Sequence, residues 1–174
     1  MPKDLQINFE DLWKLQPPEK DTFIFFGKET TFPRKHQSFG ADYVFSGKKH
    51  VALSVPDILK PVKEFFDKEY GHFDQVLVNW YANGLDYISK HKDDEKQIVK
   101  DSPIVSISLG QERKFRIRDS KEKIFKDIDM VDNIVLVMGG EFQQHFFHEV
   151  PPVRGKKGET LGPRINITLR QFNK

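Results

Sequence analysis

His91 and Asp93 are the residues from which chemistry is most readily argued. They stand two apart, so on an extended strand both side chains project from one face. An imidazole beside a carboxylate suits a divalent metal. A second imidazole from elsewhere would complete a 2-His-1-carboxylate set, leaving three metal positions open for oxygen and a co-substrate. The pair alone is weak, because 6 His and 26 acidic residues in 174 make about one such pair by chance. His72-Phe73-Asp74 is a second one. It follows Gly71 at an expected helix end, opens a strand, and reads as a satisfied surface pair. His145 and His148 are three apart and on a strand would face opposite ways, so at most one of them joins His91 and Asp93.

Near the C-terminus, Arg164, Asn166, Thr168 and Arg170 alternate with Ile165, Ile167 and Leu169. A period of two puts the four polar groups on one face of a strand. Facing water, they make an ordinary amphipathic strand. Facing inward, two guanidinium groups need anions, and a dicarboxylate would supply both through bidentate contacts.

The elements that must position these groups are mostly strands. A short helix is expected around Phe9 to Leu15, stopped by Pro17-Pro18. Residues 22–26 form a strand and 33–47 a second extended piece. Alternation there puts Phe23 and Phe25 together and Phe26 on the other face, exposed beside Gly27. Ile58, Leu59, Val62, Phe65 and Phe66 share a helical face, closed by Gly71. Strands follow at 76–78, 87–91, 103–109 and 113–118, the last two as a hairpin through Gly110-Gln111. Ile124-Phe125, 134–138, 144–150 and 165–172 complete the set, and Arg154 to Gly162 reads as a mobile loop. Many short strands with helices in the first half predict a mainly β (α+β) jelly roll with helical support. The whole chain, 1–174, reads as one domain.

Composition narrows the function classes. The chain has no Cys, which excludes disulfide scaffolds and Cys-ligated zinc. No apolar run approaches the roughly 20 residues of a membrane span, and the N-terminus is not a signal peptide. A net charge of +2 does not by itself demand nucleic acid. Sixteen Phe are an unusual share, which core packing alone need not explain. An intracellular protein is expected, nuclear if eukaryotic and otherwise cytoplasmic, with no membrane partner and a monomeric state.

A set of motifs in fixed order then becomes specific. Asn79 and Tyr81 come first, followed by His91, Asp93, Asp94 and Glu95. Ser106, Ser108-Leu109-Gly110, Glu112-Arg113 and Phe115 are next. His148, Val150-Pro151, Pro163-Arg164, Asn166, Thr168 and Arg170 close the series. This order resembles the AlkB family of Fe(II)- and 2-oxoglutarate-dependent nucleic-acid dealkylases, over about residues 25 to 172. The resemblance implies a double-stranded β-helix with an N-terminal nucleotide-recognition lid at about 20–50. It implies His91, Asp93 and His148 as iron ligands and catalytic centre, with His145 at a non-ligand position. Asn79, Tyr81, Arg164, Asn166 and Arg170 would hold 2-oxoglutarate.

Phe26-Gly27-Lys28, Pro33-Arg34-Lys35, Gln37, Phe39-Gly40, Tyr43, Phe45 and Ser46-Gly47 most resemble the homologue 2 branch. By that resemblance Phe26 is a wedge in the duplex, and Gly27, Lys28 and Arg34 stand with it on the substrate side. Tyr43 and Phe45 line the base pocket, and Asp94, with Glu95, reads the edge of the damaged base. Arg154, Lys156 and Lys157 resemble a phosphate-gripping loop, in a segment longer than usual for the family. A flipped base needs a stacking partner, and the gap it leaves needs an apolar plug. The implied activity is oxidative demethylation of bases such as 1-methyladenine and 3-methylcytosine in double- or single-stranded DNA. It consumes O2 and releases formaldehyde, succinate and CO2. The same chemistry on single strands or RNA, and a non-catalytic jelly-roll binding module, are the alternatives.

Overall fold

The computed structural model describes residues 5–45 and 47–173. Ser46 of the motif series and the side chain of Phe25 lie outside the described residues. The chain opens with a five-residue helix, α1 (Phe9–Trp13), whose N-cap Asn8 accepts from the Asp11 N–H at 3.1 Å. Then come a hairpin, β1 (Thr22–Phe25) and β2 (Lys28–Thr31), and the strand β3 (Lys35–Phe39). A second hairpin follows, β4 (Tyr43–Phe45) and β5 (Lys48–His50). Helix α2 (Lys60–Tyr70) ends at Gly71, which takes φ 91°.

From there strands dominate. They are β6 (Gln75–Tyr81), β7 (Ile88–His91), β8 (Ile104–Gly110), β9 (Arg113–Arg118), β10 (Ile124–Met130) and β11 (Ile134–Met138). A one-turn helix, α3 (Phe142–His145), precedes β12 (Phe147–Val150), and α4 (Gly155–Glu159) precedes β13 (Arg164–Arg170). They form two antiparallel sheets, in the orders β11-β8-β13-β6-β3 and β10-β9-β12-β7. Successive strands from β6 to β13 distribute between the sheets as in a jelly roll, and β3 extends the larger sheet. The two hairpins stand outside both sheets.

The larger sheet is buried on both faces, for different reasons. Val76, Val78 and Trp80 of β6, Val105, Ile107 and Leu109 of β8, and Ile165, Ile167 and Leu169 of β13 form one apolar face. It packs against Leu12 of α1 and Leu59, Val62 and Phe66 beside and along α2. The Trp80 indole N–H donates to the Leu12 carbonyl at 3.1 Å, tying α1 to the sheet. The opposite face looks into the space between the sheets. Tyr81, Ile104, Phe115, Ile117, Met130, Met138 and Val150 form a second apolar cluster, four of whose members line the cavity there. The polar residues of β13 therefore face inward.

Several expectations change. Residues 33–47 are not one extended piece but the strands β3 and β4, parted at Gly40, and the strand expected over 22–26 stops at Phe25, with Phe26 in the turn. Helices also occur in the second half, as α3 and α4. Residues 144–150 are not one strand, because α3 ends at His145 and β12 begins at Phe147. The 154–162 segment is not a free loop. It contains α4, and Gly158 is packed against the chain: its carbonyl accepts from the Gly84 N–H at 2.8 Å, and Val153 N–H donates to the Gly84 carbonyl at 2.8 Å. A Cβ on Gly158 would sit 1.7 Å from the Val153 carbonyl oxygen. Gly158→Ala is accordingly expected to cost about 1–3 kcal/mol of stability, read from chemical denaturation, because backbone has to move.

Candidate active site

His91 ends β7, Asp93 lies two residues beyond it, and His148 sits on β12, directly paired with His91 in the register. Their donor atoms lie within 4.8 Å of one another. His91 Nε2 is 3.7 Å from Asp93 Oδ1, and His148 Nε2 is 3.8 Å from Asp93 Oδ2. Those gaps are too long for hydrogen bonds. His91 Nδ1 is 2.8 Å from the Ser89 carbonyl, an acceptor only, so Nδ1 carries the proton and Nε2 presents its lone pair to the other two. Burial, then the neighbouring His91, lowers His148 to about 3, so it is neutral near pH 7. Burial raises Asp93, but Arg170, His148 and His91 together outweigh it and hold the carboxyl at about 2. The result is two neutral imidazoles and one carboxylate facing a common point.

The inward face of the larger sheet supplies the rest. Asn79, Tyr81, Ser106, Arg164, Asn166, Thr168 and Arg170 line the same cavity as the three donors. Arg170 is already paired: its Nη2 donates to Asp93 Oδ1 at 2.8 Å and its Nη1 to Gln75 Oε1 at 3.0 Å. Arg164 is different. Its Nε donates to Ser108 Oγ at 2.9 Å, its guanidinium lies 5.0 Å from the Tyr81 ring centre, and its Nη1 is buried with no partner. Among the described residues no carboxylate reaches it within ion-pair distance. Asn166 donates to Ser106 Oγ and the Ile107 carbonyl, and accepts from Thr168. The Asn79 carbonyl oxygen accepts from Arg34 Nε at 2.6 Å.

Beside the metal-ligand set lies a groove of about 510 Å³, lined by Phe23, Phe32, Arg34, Tyr43, Phe45 and Glu95 among others and also by His91 and Asp93. That size suits a small-molecule or single-base ligand, whose pockets run from ~300 to ~1,000 Å³. Tyr43 and Phe45 stack at 5.1 Å and 27°. The Tyr43 hydroxyl donates to Glu95 Oε1 at 2.6 Å, leaving Glu95 Oε2 buried without a partner. Burial raises the Glu95 carboxyl.

A family model described as the 2OG-Fe(II) oxygenase superfamily matches residues 28–170. The chain belongs to that superfamily. Its similarity to the DNA oxidative demethylases ALKBH2 places it on the AlkB side of the group. Human ALKBH2 is 32% identical over 159 residues, spanning 84% of this chain and 59% of the relative. ALKBH2 of Arabidopsis thaliana is 28% identical over 194 residues, spanning 93% and 60%. The chain thus spans less than two thirds of the length of these relatives. Among solved structures, that of OsALKBH1 superposes with a TM-score of 0.58 at 20% identity, covering 93% of this chain and 90% of that one, and it supports the jelly roll. Iron and 2-oxoglutarate are the superfamily's cofactor and co-substrate.

The residues present fit both groups. The three donors converge at separations no hydrogen bond explains, and the His91 tautomer is set by Ser89. Arg164 offers a buried, acid-free guanidinium of the kind a carboxylate would satisfy. Ser106 and Ser108, which enter the sequence reading only as part of the motif order, prove to hold Asn166 and Arg164 in place.

The other residues singled out from the sequence scatter more widely. Phe26 and Gly27 form the two-residue tip of the β1–β2 hairpin, with Lys28 beginning β2. Arg34 is buried, donates from Nε to the Asn79 side chain, and lines the groove. Asp94 is exposed and lines a neighbouring hollow, whereas Glu95 reaches the groove. Lys157 of α4 lines a separate hollow with Arg113, Lys114 and Arg116, and Arg154 and Lys156 are exposed. None of these three lines the groove. His145 lies 3.3 Å from Glu141 on α3, away from the donor set. His72 is exposed, 3.6 Å from Asp67 and 3.7 Å from Asp74.

Acid should loosen the metal-free protein. Burial, with Arg34 and His50, lowers His36 to about 3, and burial with His91 does the same to His148. An unfolded histidine takes its proton near pH 6.5. Between about 6.5 and about 3 the unfolded chain therefore binds more protons than the folded one, so stability is full above 6.5 and declines as pH falls. The thermal midpoint of the metal-free protein should drop between pH 7.5 and pH 5; a flat profile would contradict the buried neutral imidazoles.

Proposed function

We propose that this chain is an Fe(II)- and 2-oxoglutarate-dependent dioxygenase that removes N-alkyl groups from bases in DNA. The observation that carries the reading is the cavity in which His91, Asp93 and His148 share an interior with the acid-free Arg164. His91, Asp93 and His148 would hold the iron, which with 2-oxoglutarate and O2 supplies the oxidant for the N-alkyl carbon. Arg164 would take one carboxylate of the co-substrate, and Asn79, Tyr81 and Asn166 line its berth. Arg170 fixes Asp93 in the ligating orientation.

The groove's chemistry favours a cationic, planar ligand. Alkylation at a ring nitrogen used in pairing leaves 1-methyladenine or 3-methylcytosine positively charged. An aromatic wall of Tyr43 and Phe45 offers a stacking face and cation–π attraction. Glu95 Oε2 is an acceptor already desolvated and awaiting a donor, such as an exocyclic amine. The hairpins carrying these groups would serve as the nucleotide-recognition lid. DNA, rather than RNA, is favoured by the names of the ALKBH2 relatives.

Phe26 carries the duplex reading. Phe26 and Gly27 take φ 47° and 74°, the two positive angles of a tight hairpin turn, which Asn-Gly would satisfy without strain. A bulky aromatic in that conformation is uncommon, and 91% of the residue is exposed. Strain that serves to display an apolar ring at a tip fits a wedge that fills the space left by an extruded base. The test is turnover of methylated oligonucleotides by the wild type and Phe26→Ala. Duplex turnover should fall about tenfold or more, since unstacking costs a few kcal/mol, while single-strand turnover is retained. Equal effects on both would select the single-strand enzyme instead.

A further inference from the structure

A second set of metal-ligating side chains shares no residue with the iron site. Asp21 precedes β1, His36 is on β3, and His50 ends β5. Both imidazoles are buried. His36 Nε2 and His50 Nδ1 are 3.2 Å apart, and His50 Nδ1 is 3.3 Å from Asp21 Oδ2. The three donor atoms lie within 4.8 Å of one another. Phe32 stands edge-on to both rings, at 4.9 and 5.8 Å, and Phe45 stacks on His50 at 4.3 Å and 21°.

Hydrogen bonding alone uses this arrangement poorly. His50 Nδ1 carries at most one proton, yet it faces both the carboxylate and the other imidazole nitrogen. The spacing suits an ion better. Tetrahedral zinc with bonds of about 2.0–2.1 Å to nitrogen and oxygen sets neighbouring ligand atoms roughly 3.3–3.4 Å apart. Two of the three separations, 3.2 and 3.3 Å, are close to that edge. Lys48 pairs with Asp21 Oδ1, which leaves Oδ2 turned to the imidazoles and fixes the carboxylate from behind.

We propose that Asp21, His36 and His50 form a second metal site, for a divalent transition ion of the zinc class, with a fourth position open to water. Two imidazoles and one carboxylate disfavour magnesium and calcium, which want oxygen ligands throughout. The site spans three separate pieces of chain, so a bound ion would fasten both hairpins to the larger sheet. It would also hold the His50 ring against which Phe45, a wall of the groove, is stacked. This proposal does not depend on what the groove binds.

Cobalt(II) is the probe, followed by equilibrium dialysis and by its visible absorption, which is intense in tetrahedral sites. The wild-type chain should bind two ions. The His91→Ala/His148→Ala protein, in which Asp21, His36 and His50 are untouched, should keep one ion with a tetrahedral spectrum. Adding His36→Gln to that protein should remove it. No ion in His91→Ala/His148→Ala, or an ion that survives His36→Gln, would each overturn the proposal, whereas one ion in both the wild type and His91→Ala/His148→Ala would support it and count against the first site instead. Because the first two measurements leave the hairpins intact, they decide the matter even if the His36 variant folds poorly.

Discussion

His148→Ala should abolish Fe(II)-dependent release of formaldehyde and succinate while leaving a folded protein. Asp93→Ala should abolish it too, but at a further cost of about 3–5 kcal/mol in the stability of the metal-free chain. The difference follows from what each residue touches. His148 is neutral and packs between Phe115, at 5.2 Å, and His91, at 4.2 Å, so its removal leaves a hole and no stranded charge. Asp93 faces Arg170 at 2.8 Å with both side chains almost fully buried. Removing one partner of a buried ion pair leaves the other uncompensated, which is where the ~3–5 kcal/mol arises. Adding Arg170→Met to Asp93→Ala should therefore recover most of the lost stability and none of the turnover. Urea denaturation of the four proteins measures the first half and a formaldehyde assay the second. Turnover surviving in His148→Ala would mean that these three side chains do not hold the reactive metal, whereas a wild type without turnover would make a jelly-roll binding module the better reading.

The parts of this site that are legible in the chain are those where a period of two survives over several residues. Arg164 to Arg170 alternates without interruption, so its polar face is evident; only the fold shows that this face points inward, since a strand in water has the same pattern. His148 cannot be separated from His145 by spacing, because the backbone changes from helix to strand between them. Family resemblance makes that choice. The charged residues of β10, Lys126, Asp127 and Asp129, hide most of an edge strand, of which only Ile124-Phe125 is visible. Gly155 to Gly158 looks mobile by composition, but glycine there permits close packing against Val153 and Gly84, which composition cannot distinguish from looseness. His36 and His50 are brought together by the β4–β5 hairpin and the larger sheet, and nothing in a 14-residue separation announces it.

Arg164→Met should raise the KM for 2-oxoglutarate by about 10- to 150-fold, lower kcat much less, and leave the metal-free protein as stable as the wild type or more so. A charge-assisted hydrogen bond is worth roughly 1.5–3 kcal/mol, which converts to about 10–150-fold in affinity. The stability expectation has a separate origin. Arg164 is buried, with one nitrogen unpartnered and no acid within reach among the described residues, so the empty site bears an uncompensated desolvation cost. Burial lowers its pKa, the direction expected of a charge kept out of water without a counter-ion. Methionine removes that cost and fills similar space. Arg170 makes the natural control: it has Asp93, so Arg170→Met should destabilise the chain where Arg164→Met does not. Arg164→Lys should fail to restore the co-substrate KM, because an ammonium cannot donate to Ser108 and meet a carboxylate with two parallel N–H groups at once. Steady-state kinetics with 2-oxoglutarate varied, alongside denaturation of the metal-free variants, tests both halves. A large stability loss in Arg164→Met with an unchanged KM would mark Arg164 as a structural residue and would remove the co-substrate from this end of the cavity.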